Sequence, residues 1–316
     1  MARELKIMTK HGLGTITSRS KDVLSPPESP VADINVAIGL SKDEYDELNN
    51  AMKKVLGLIQ YTKLFNTVKR NLEDLINTIG SYLQAFIRKD ANFLSRRDIS
   101  LNINKDLLNV LASFRFYLDY MDNHLKNDFD QTLGLPNKFQ NYCSEEYDKN
   151  FSYRLIYHLR YFAQHKGFVV GSISFQSNAS QENRLQINYA LEINIHRNDL
   201  LEDKSFKKEL KTELEKLPAK IQVIEHFREW IKSLTKIHTQ ISEDLLPTVL
   251  DDAKMIKNYL TRLTYDEKDE RIVPAIFTID RADENSKKIF HLSHIPLPVR
   301  ESQQIIEHLE KPASIV

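Results

Sequence analysis

The sequence predicts a mainly α-helical protein with an inserted β-hairpin and a small β-sheet formed by the two ends of the chain. Three observations lead to this fold class: long apolar stripes with steps of three and four residues, a few short stretches of alternating β-branched residues, and only 8 glycines among 316 residues. Steps of three and four place apolar side chains on one face of a helix, whereas alternation is typical of strands. A hydrophobic content of 41% is enough for a packed globular core.

The composition excludes several functional classes. Lysine plus arginine and aspartate plus glutamate number 44 each, so the formal net charge is zero and RNA binding would depend on a local surface. The single cysteine, Cys143, excludes a disulfide within the chain and a cysteine-based metal site. No apolar run approaches the roughly 20 residues of a membrane span, and no signal-peptide pattern begins the chain. We therefore expect a cytoplasmic protein without membrane contacts.

Changes in composition and in apolar periodicity divide the chain into three parts. Residues 1–40 form a basic N-terminal arm, which is either loose or contains two short strands around a turn at Gly12–Gly14, before the stretch SPPESP interrupts regular structure. Residues 41–265 form the helical domain. Residues 266–316 form a small β/α segment, whose strands could pair with the N-terminal ones.

A capping box begins the first long helix, because Ser41 is followed three residues later by Glu44. Its apolar stripe continues to Phe86, with a break expected near Gly57. Further helices are predicted over about Asn104–Phe129, in KFQNYCSEEYD, over Ser152–Lys166, from Asp199 to Pro218, from Ile224 to Leu263 and over 301–310. The helix before Pro218 has Phe206, Leu210 and Leu214 on one face. In the helix that starts at Ile224, Pro247 either introduces a kink or begins a new helix.

Strand patterns occur in two places. FVVGSISF and RLQINYALEINI alternate on either side of a polar turn, which predicts a β-hairpin at about 168–196, after a helix stop at Gly167. IVPAIFTI and KIFHLSHI predict two strands near the C-terminus.

The helix Ser152–Lys166 carries the candidate functional residues. At about 100° per residue, one face is apolar, and it contains Leu155, Ile156, Leu159, Phe162 and Ala163. The other face is a strip of hydrogen-bond donors without an acidic residue, formed by Arg154, Tyr157, His158, Arg160, Tyr161, Gln164 and His165. A solvated helix face normally mixes both signs of charge. The strip therefore favours either contact with phosphates and stacked bases or a buried interface with an acidic partner helix.

Arg160 and His165, in the stretch LRYFAQHKG, are candidates for catalysis of RNA cleavage. His165 can act as a base or an acid near neutral pH, and Arg160 can stabilise charge on the phosphate. The two residues lie about 140° apart on an ideal helix, so a cleft between two copies of the chain would use both. No carboxylate joins His158 and His165 on this helix and no glycine-rich phosphate loop is present, so neither a metal nor a cofactor is expected.

A helical bundle with this R-x4-H spacing near the end of a long helix resembles the HEPN superfamily (higher eukaryotes and prokaryotes nucleotide-binding domain), over about residues 100–265. The wider stretch is similar to uncharacterised bacterial proteins with the same helix–hairpin order. The resemblance implies a four-helix bundle that dimerises through the motif helices. It also implies metal-independent endoribonuclease activity in bacterial toxin–antitoxin or anti-phage systems, with an antitoxin or another defence protein as a partner.

Within this resemblance, Arg160 and His165 occupy the two named positions of the motif. Arg154, His158, Tyr161 and Gln164 would contact RNA. Tyr161 departs from the family pattern, in which the residue after the arginine is usually small and polar, often asparagine. Many HEPN proteins are non-catalytic binding modules, so the alternative function is a module that binds RNA or a protein partner.

Overall fold

The chain is mainly helical with two small antiparallel sheets, as predicted. The structure, a computed structural model, describes residues 11–18, 32–89, 95–129, 133–179, 187–265, 267–269, 272–283 and 288–310. It forms two compact units, one of residues 1–60 and 243–316 and the other of residues 61–242. Their boundaries fall within two long helices, whereas the sequence predicted boundaries near residues 40 and 265.

The elements are as follows. The helices are α1 Lys42–Ile87, α2 Arg96–Asn127, α3 Leu135–Lys149, α4 Phe151–Lys166, α5 Arg197–Glu202, α6 Lys208–Glu215, α7 Val223–Leu260 and α8 Val299–Glu310. The strands are β1 His11–Ser18, β2 Ala32–Leu40, β3 Ser172–Ala179, β4 Ile187–His196, β5 Lys220–Gln222, β6 Ile272–Asp283 and β7 Lys288–Pro296. Within the described residues, no helix is long and apolar enough to cross a membrane.

The unit that contains both termini has a four-stranded sheet in the order β2-β1-β6-β7. The predicted pairing between the two ends of the chain is confirmed by the antiparallel contact of β1 with β6. The predicted turn at Gly12–Gly14 is wrong, because β1 runs straight through both glycines. Gly14 instead permits a close approach of β2, since a Cβ atom there would lie 1.9 Å from the carbonyl oxygen of Asn35. The other predicted N-terminal strand and the stretch SPPESP lie outside the described residues.

Helix α1 begins at the predicted capping box. The Ser41 N–H donates to Glu44 Oε2 at 2.9 Å, and the Glu44 N–H donates to Ser41 Oγ at 3.1 Å. The predicted break near Gly57 is wrong, because α1 continues to Ile87. A glycine in a helix costs only about 1 kcal/mol, and Gly57 lies on the buried side of α1 beside Leu58, where packing outweighs that cost.

Other boundaries differ from the prediction. Helix α2 starts eight residues before Asn104, because Ser95 caps it by accepting a hydrogen bond from the Asp98 N–H at 3.2 Å. Pro247 lies inside the continuous helix α7, and Phe206 precedes α6 rather than belonging to it. The hairpin is confirmed as β3 paired with β4, but a third strand, β5, joins β4 on its other side. Only three residues long, β5 is too short to give an alternating pattern.

In the unit of residues 61–242, α4 packs against α2 and α3. All five residues of its predicted apolar face are buried. At its start, the Asn150 side chain accepts from the Tyr153 N–H at 3.2 Å and donates to Ser233 Oγ of α7 at 2.8 Å. At its end, Gly167 has the positive φ of 93° expected of a helix stop. Both ends of α4 are therefore defined by specific residues.

The chain that follows α4 is held by one fully buried side chain on α2. Asn104 is 0% exposed, and its Oδ1 accepts from the backbone N–H groups of Val169 and Val170 at 2.9 and 3.0 Å. Its Nδ2 donates to the Ser100 carbonyl at 2.9 Å. One amide thereby satisfies two buried backbone donors that lie outside any helix or strand.

Replacement of Asn104 by alanine is expected to lower the free energy of unfolding by at least about 2 kcal/mol, because two buried N–H groups would lose their acceptor. Urea unfolding followed by circular dichroism measures the change. Asn109→Ala, at an exposed position of the same helix, is the control and should be nearly neutral. Equal stability of the two variants would contradict the role assigned to Asn104.

Side chains of α1, α2 and α7 meet in a second buried cluster that contains polar groups. The hydroxyls of Tyr61 and Tyr117 share a hydrogen bond of 2.6 Å, and the His238 ring stacks on Phe65 with centroids 4.0 Å apart. Burial, together with the smaller effect of the Lys69 charge, lowers the pKa of His238 to about 4. His238 is therefore neutral at physiological pH and packs as an aromatic ring.

Protonation of His238 should destabilise the fold. Its folded-state pKa lies below the unfolded value of about 6.5, so its contribution is complete above about pH 6.5 and is lost as the pH falls through about 4. The loss amounts to up to about 3 kcal/mol at about 1.4 kcal/mol per pKa unit. His238→Phe should show a smaller loss of stability than the wild type when the pH is lowered. Burial also lowers the pKa values of His158 and His226, so some acid sensitivity will remain in the variant.

Candidate functional site

Arg160 is a buried cation in the middle of the candidate helix. It is 3% exposed, and its Nε and Nη1 atoms are buried without a hydrogen-bond partner in the described part of the chain. The guanidinium carbon lies 4.1 Å from the centre of the Tyr161 ring and 5.3 Å from that of Tyr157. Two aromatic faces, rather than a carboxylate, therefore surround the charge.

These contacts compensate only part of the cost of burying Arg160. Removing a charged group from water costs several kcal/mol even after relaxation. Two cation–π contacts return about 1–4 kcal/mol together. An arginine cannot lose its proton to relieve the imbalance. An anion that reached the unpaired N–H groups would therefore be bound favourably, which makes Arg160 a candidate anion-binding residue.

His165 lies in the last turn of α4 and is exposed. Among the contacts of the described residues, none joins it to Arg160, and none joins Gln164, which is also exposed, to either of them. The helix thus separates the two motif residues, as the expected angle of about 140° requires. His165 is free to act on a ligand at the surface, whereas Arg160 is covered.

Arg154, a predicted RNA contact, is used within the protein. Its Nη2 and Nε donate to the two carboxylate oxygens of Glu213 on α6, at 2.6 and 3.2 Å. Its Nη1 donates to the carbonyls of Tyr147 and Asp148 near the end of α3, the second at 2.7 Å. The hydrogen bonds of the Arg154 guanidinium therefore connect α4 with α3 and α6. These contacts give no support to a role in RNA binding.

His158 is also part of the interior. It is 5% exposed, its Nε2 shares a hydrogen bond of 2.8 Å with the Tyr147 hydroxyl, and its ring lies 5.4 Å from that of Phe206. Burial lowers the pKa of His158, and the positive charges of Lys207 and Arg160 lower it further, although the backbone of Ser205 acts in the opposite direction. A neutral, buried imidazole is a poor contact for phosphate.

The predicted strip is therefore divided. His158 and Arg160 are buried, Arg154, Tyr157 and Tyr161 are half-buried, and Gln164 and His165 are exposed. The residues that cover His158 or pair with Arg154, among them Tyr147, Phe206 and Glu213, lie outside α4, so the periodicity of α4 does not indicate them. The basic run SFKK around Phe206 and Lys207 was the only local signal of a further cation near this helix.

No group of three or more histidine, cysteine, aspartate or glutamate residues in the described ranges could hold a metal ion. Burial raises the pKa of Cys143 to about 12, with a small opposing effect of a hydrogen bond with Tyr153. The thiolate required of a nucleophile is therefore absent at neutral pH.

Comparisons of the chain with protein-family models, with curated proteins and with solved structures found no match.

The Tyr161 ring should protect Arg160 from arginine-specific reagents. Phenylglyoxal modification, followed by peptide mass spectrometry, is expected to be much slower at Arg160 than at the exposed Arg228. Tyr161→Ala should accelerate modification of Arg160 by about two- to thirtyfold, the equivalent of one lost cation–π contact. Tyr161→Phe retains a ring and is the matched control. Equal rates at Arg160 in the alanine and phenylalanine variants would refute the covering role.

Proposed function

We propose that this chain is a metal-independent endoribonuclease that acts as a homodimer, with Arg160 and His165 in its active site. The observation that carries the proposal is the buried, unpaired guanidinium of Arg160, five residues before an exposed histidine. An unpaired buried cation lowers stability, and such features cluster at functional sites. The resemblance to the HEPN superfamily supports the reaction type and a place in a bacterial toxin or anti-phage system.

The proposed reaction uses the 2′-hydroxyl of the RNA as the nucleophile. One His165 accepts the proton of this hydroxyl while the 2′-oxygen forms a bond to phosphorus. The bond from phosphorus to the 5′-oxygen breaks, and that oxygen takes a proton from a second acid. Arg160 stabilises the negative charge on the phosphorane. The products are a 2′,3′-cyclic phosphate and a 5′-hydroxyl, so no water or metal enters this step.

A homodimer supplies the second histidine that one copy of the chain lacks. A single chain has one His165, and its Arg160 lies on another side of α4. Two copies that meet at the C-terminal ends of their α4 helices would provide two histidines, one as base and one as acid, together with two arginines. In a symmetric interface each of these residues appears twice, and residues near the two-fold axis lie close to their copies.

Access to Arg160 requires the Tyr161 ring to move. Tyr161 is half-buried, so rotation of its side chain toward solvent would uncover the guanidinium. A nucleobase could then stack on the displaced ring, since base–aromatic stacking is worth about 1–3 kcal/mol. This energy is similar to that of the cation–π contact that is lost.

A non-catalytic binding module is the second candidate. It is favoured by the protein contacts of Arg154 and His158 and by the ring of Tyr161 over Arg160. In this case Arg160 would serve as a structural cation among tyrosines, and the exposed end of α4 would bind RNA or a protein partner without cleaving anything.

The test is cleavage of RNA by the purified protein in the presence of EDTA. We expect the wild type to cut RNA and leave a 2′,3′-cyclic phosphate, and His165→Ala to lose about 10²–10⁴-fold in rate. Arg160→Lys keeps the charge but loses the planar guanidinium, and it should be nearly as inactive. Arg228→Ala, at an exposed position of α7, is the control and should retain most of the activity.

Mixing the wild type with His165→Ala tests the composite site. If each active site needs His165 from both copies, only wild-type dimers cut RNA, so an equal mixture should keep about a quarter of the wild-type activity, whereas sites within single copies would keep about half. Folding of each variant is checked by its thermal melting curve. A folded wild type that binds RNA but never cuts it would refute the nuclease and favour the binding module.

A further inference from the structure

A cavity of about 1200 Å³ lies in the unit that contains both termini, where α7 ends, β6 begins and α8 starts. Its wall includes the buried side chains of Leu263 and Leu297 and the half-buried side chains of Ile272 and Tyr265. Pockets for small molecules have volumes of about 300–1000 Å³. The cavity therefore has room for an organic ligand with an apolar part.

The first turn of α8 forms one wall of this cavity and has no side-chain cap. The Ser302 N–H donates to the Pro298 carbonyl at 2.9 Å, which places Pro298 at the N-cap position, and a proline side chain has no acceptor atom. The Glu301 N–H is too close to the start of α8 to have an acceptor within the helix. Among the hydrogen bonds of the described residues outside regular helices and strands, none comes from this N–H. A backbone donor at the cavity wall is therefore available to a ligand.

A buried hydroxyl lies in the same turn. Ser302 lines the cavity and is only 1% exposed. Its Oγ atom is buried without a hydrogen-bond partner in the part of the chain that the structure describes. An unsatisfied buried hydroxyl is destabilising, and a ligand oxygen that accepted its proton would remove this cost. Two adjacent residues, Glu301 and Ser302, thus each offer a donor for an acceptor oxygen.

The charged residues around the cavity nearly balance one another, which bears on the charge of the ligand. The basic residues are Lys257 and Arg300, and the acidic residues are Glu267, Asp269 and Glu301. The positive end of the α8 dipole opposes the small excess of negative charge. A charged ligand would lose its hydration without meeting an excess of the opposite charge. The cavity therefore favours an uncharged ligand over an anion or a cation.

We infer that this cavity binds an uncharged amphipathic molecule with a carbonyl oxygen, such as an amide, an ester or a ketone. The carbonyl oxygen accepts from the Ser302 hydroxyl and the Glu301 N–H, and the apolar part lies against Leu263 and Leu297. Burial of apolar surface supplies most of the affinity, and the two donors fix the orientation. The nuclease candidates Arg160 and His165 belong to the other unit, so this inference does not rest on the proposed function.

The experiment measures binding of three probes that share one apolar body by saturation-transfer NMR titration of the full chain. The probes are 4-phenylbutanamide, 4-phenylbutanoate and 4-phenylbutylammonium, which are neutral, negative and positive at pH 7. We expect the amide to bind with a Kd of about 1 mM, as is usual for a ligand of this size. The two charged probes should bind at least about fivefold more weakly, because their hydration is lost without compensation.

Two variants test the donors of α8. Ser302→Ala should bind the amide about five- to tenfold more weakly, the equivalent of one lost hydrogen bond, without a lower melting temperature, because its Oγ has no partner to lose. Pro298→Ser supplies an N-cap oxygen to the Glu301 N–H from within the chain and should also weaken binding, by about two- to fivefold. Ser293→Ala, at an exposed position of β7, is the matched control and should bind like the wild type.

Three results would overturn the inference. A folded wild type that binds none of the probes shows that the cavity is not a ligand site. Tightest binding of the acid or the amine shows that the ligand class is wrong. Equal affinities of Ser302→Ala and Ser293→Ala show that the buried hydroxyl makes no contact with the ligand.

Discussion

Two asparagine side chains fix α4, and the geometry of the candidate site depends on them. Asn150 joins the start of α4 to Ser233 of α7, and Asn104 holds the backbone of Val169 and Val170 after its end. These contacts at both ends oppose rotation of the helix about its axis. The side chains that it turns inward, including charged ones, therefore stay buried even where the burial is unfavourable.

Local signals were sufficient to predict much of the fold. The reciprocal hydrogen bonds of Ser41 and Glu44, the apolar face of α4 and the stop at Gly167 depend only on residues a few positions apart. The continuity of α1 through Gly57 and of α7 through Pro247 could not be predicted in this way. Helix α1 has 46 residues and α7 has 38, and the packing of so long a helix outweighs the cost of one unfavourable residue. The strength of that packing cannot be read from the few residues around the glycine or the proline.

The candidate site was harder to predict for the same reason. Helical periodicity places Arg160 and His158 on the polar side and leaves open whether that side is exposed or buried in an interface. The burial of His158 depends on residues that approach from other parts of the chain, among them Phe206, 48 positions later. Amphipathic side chains such as tyrosine can cover a polar strip as well as apolar residues can. A strip rich in aromatic residues therefore indicates a polar interior as readily as an RNA-binding surface.

The two residues of the R-x4-H motif face different surroundings on α4. Arg160 is surrounded by tyrosine rings that α4 itself provides, so its environment moves with the helix. His165 is exposed in the last turn of α4. Any ligand that contacts both residues must span about 140° of the helix circumference. The C-terminal end of α4, where the helix stops at Gly167, carries His165 in its last turn, and the proposed nuclease places the RNA at this end.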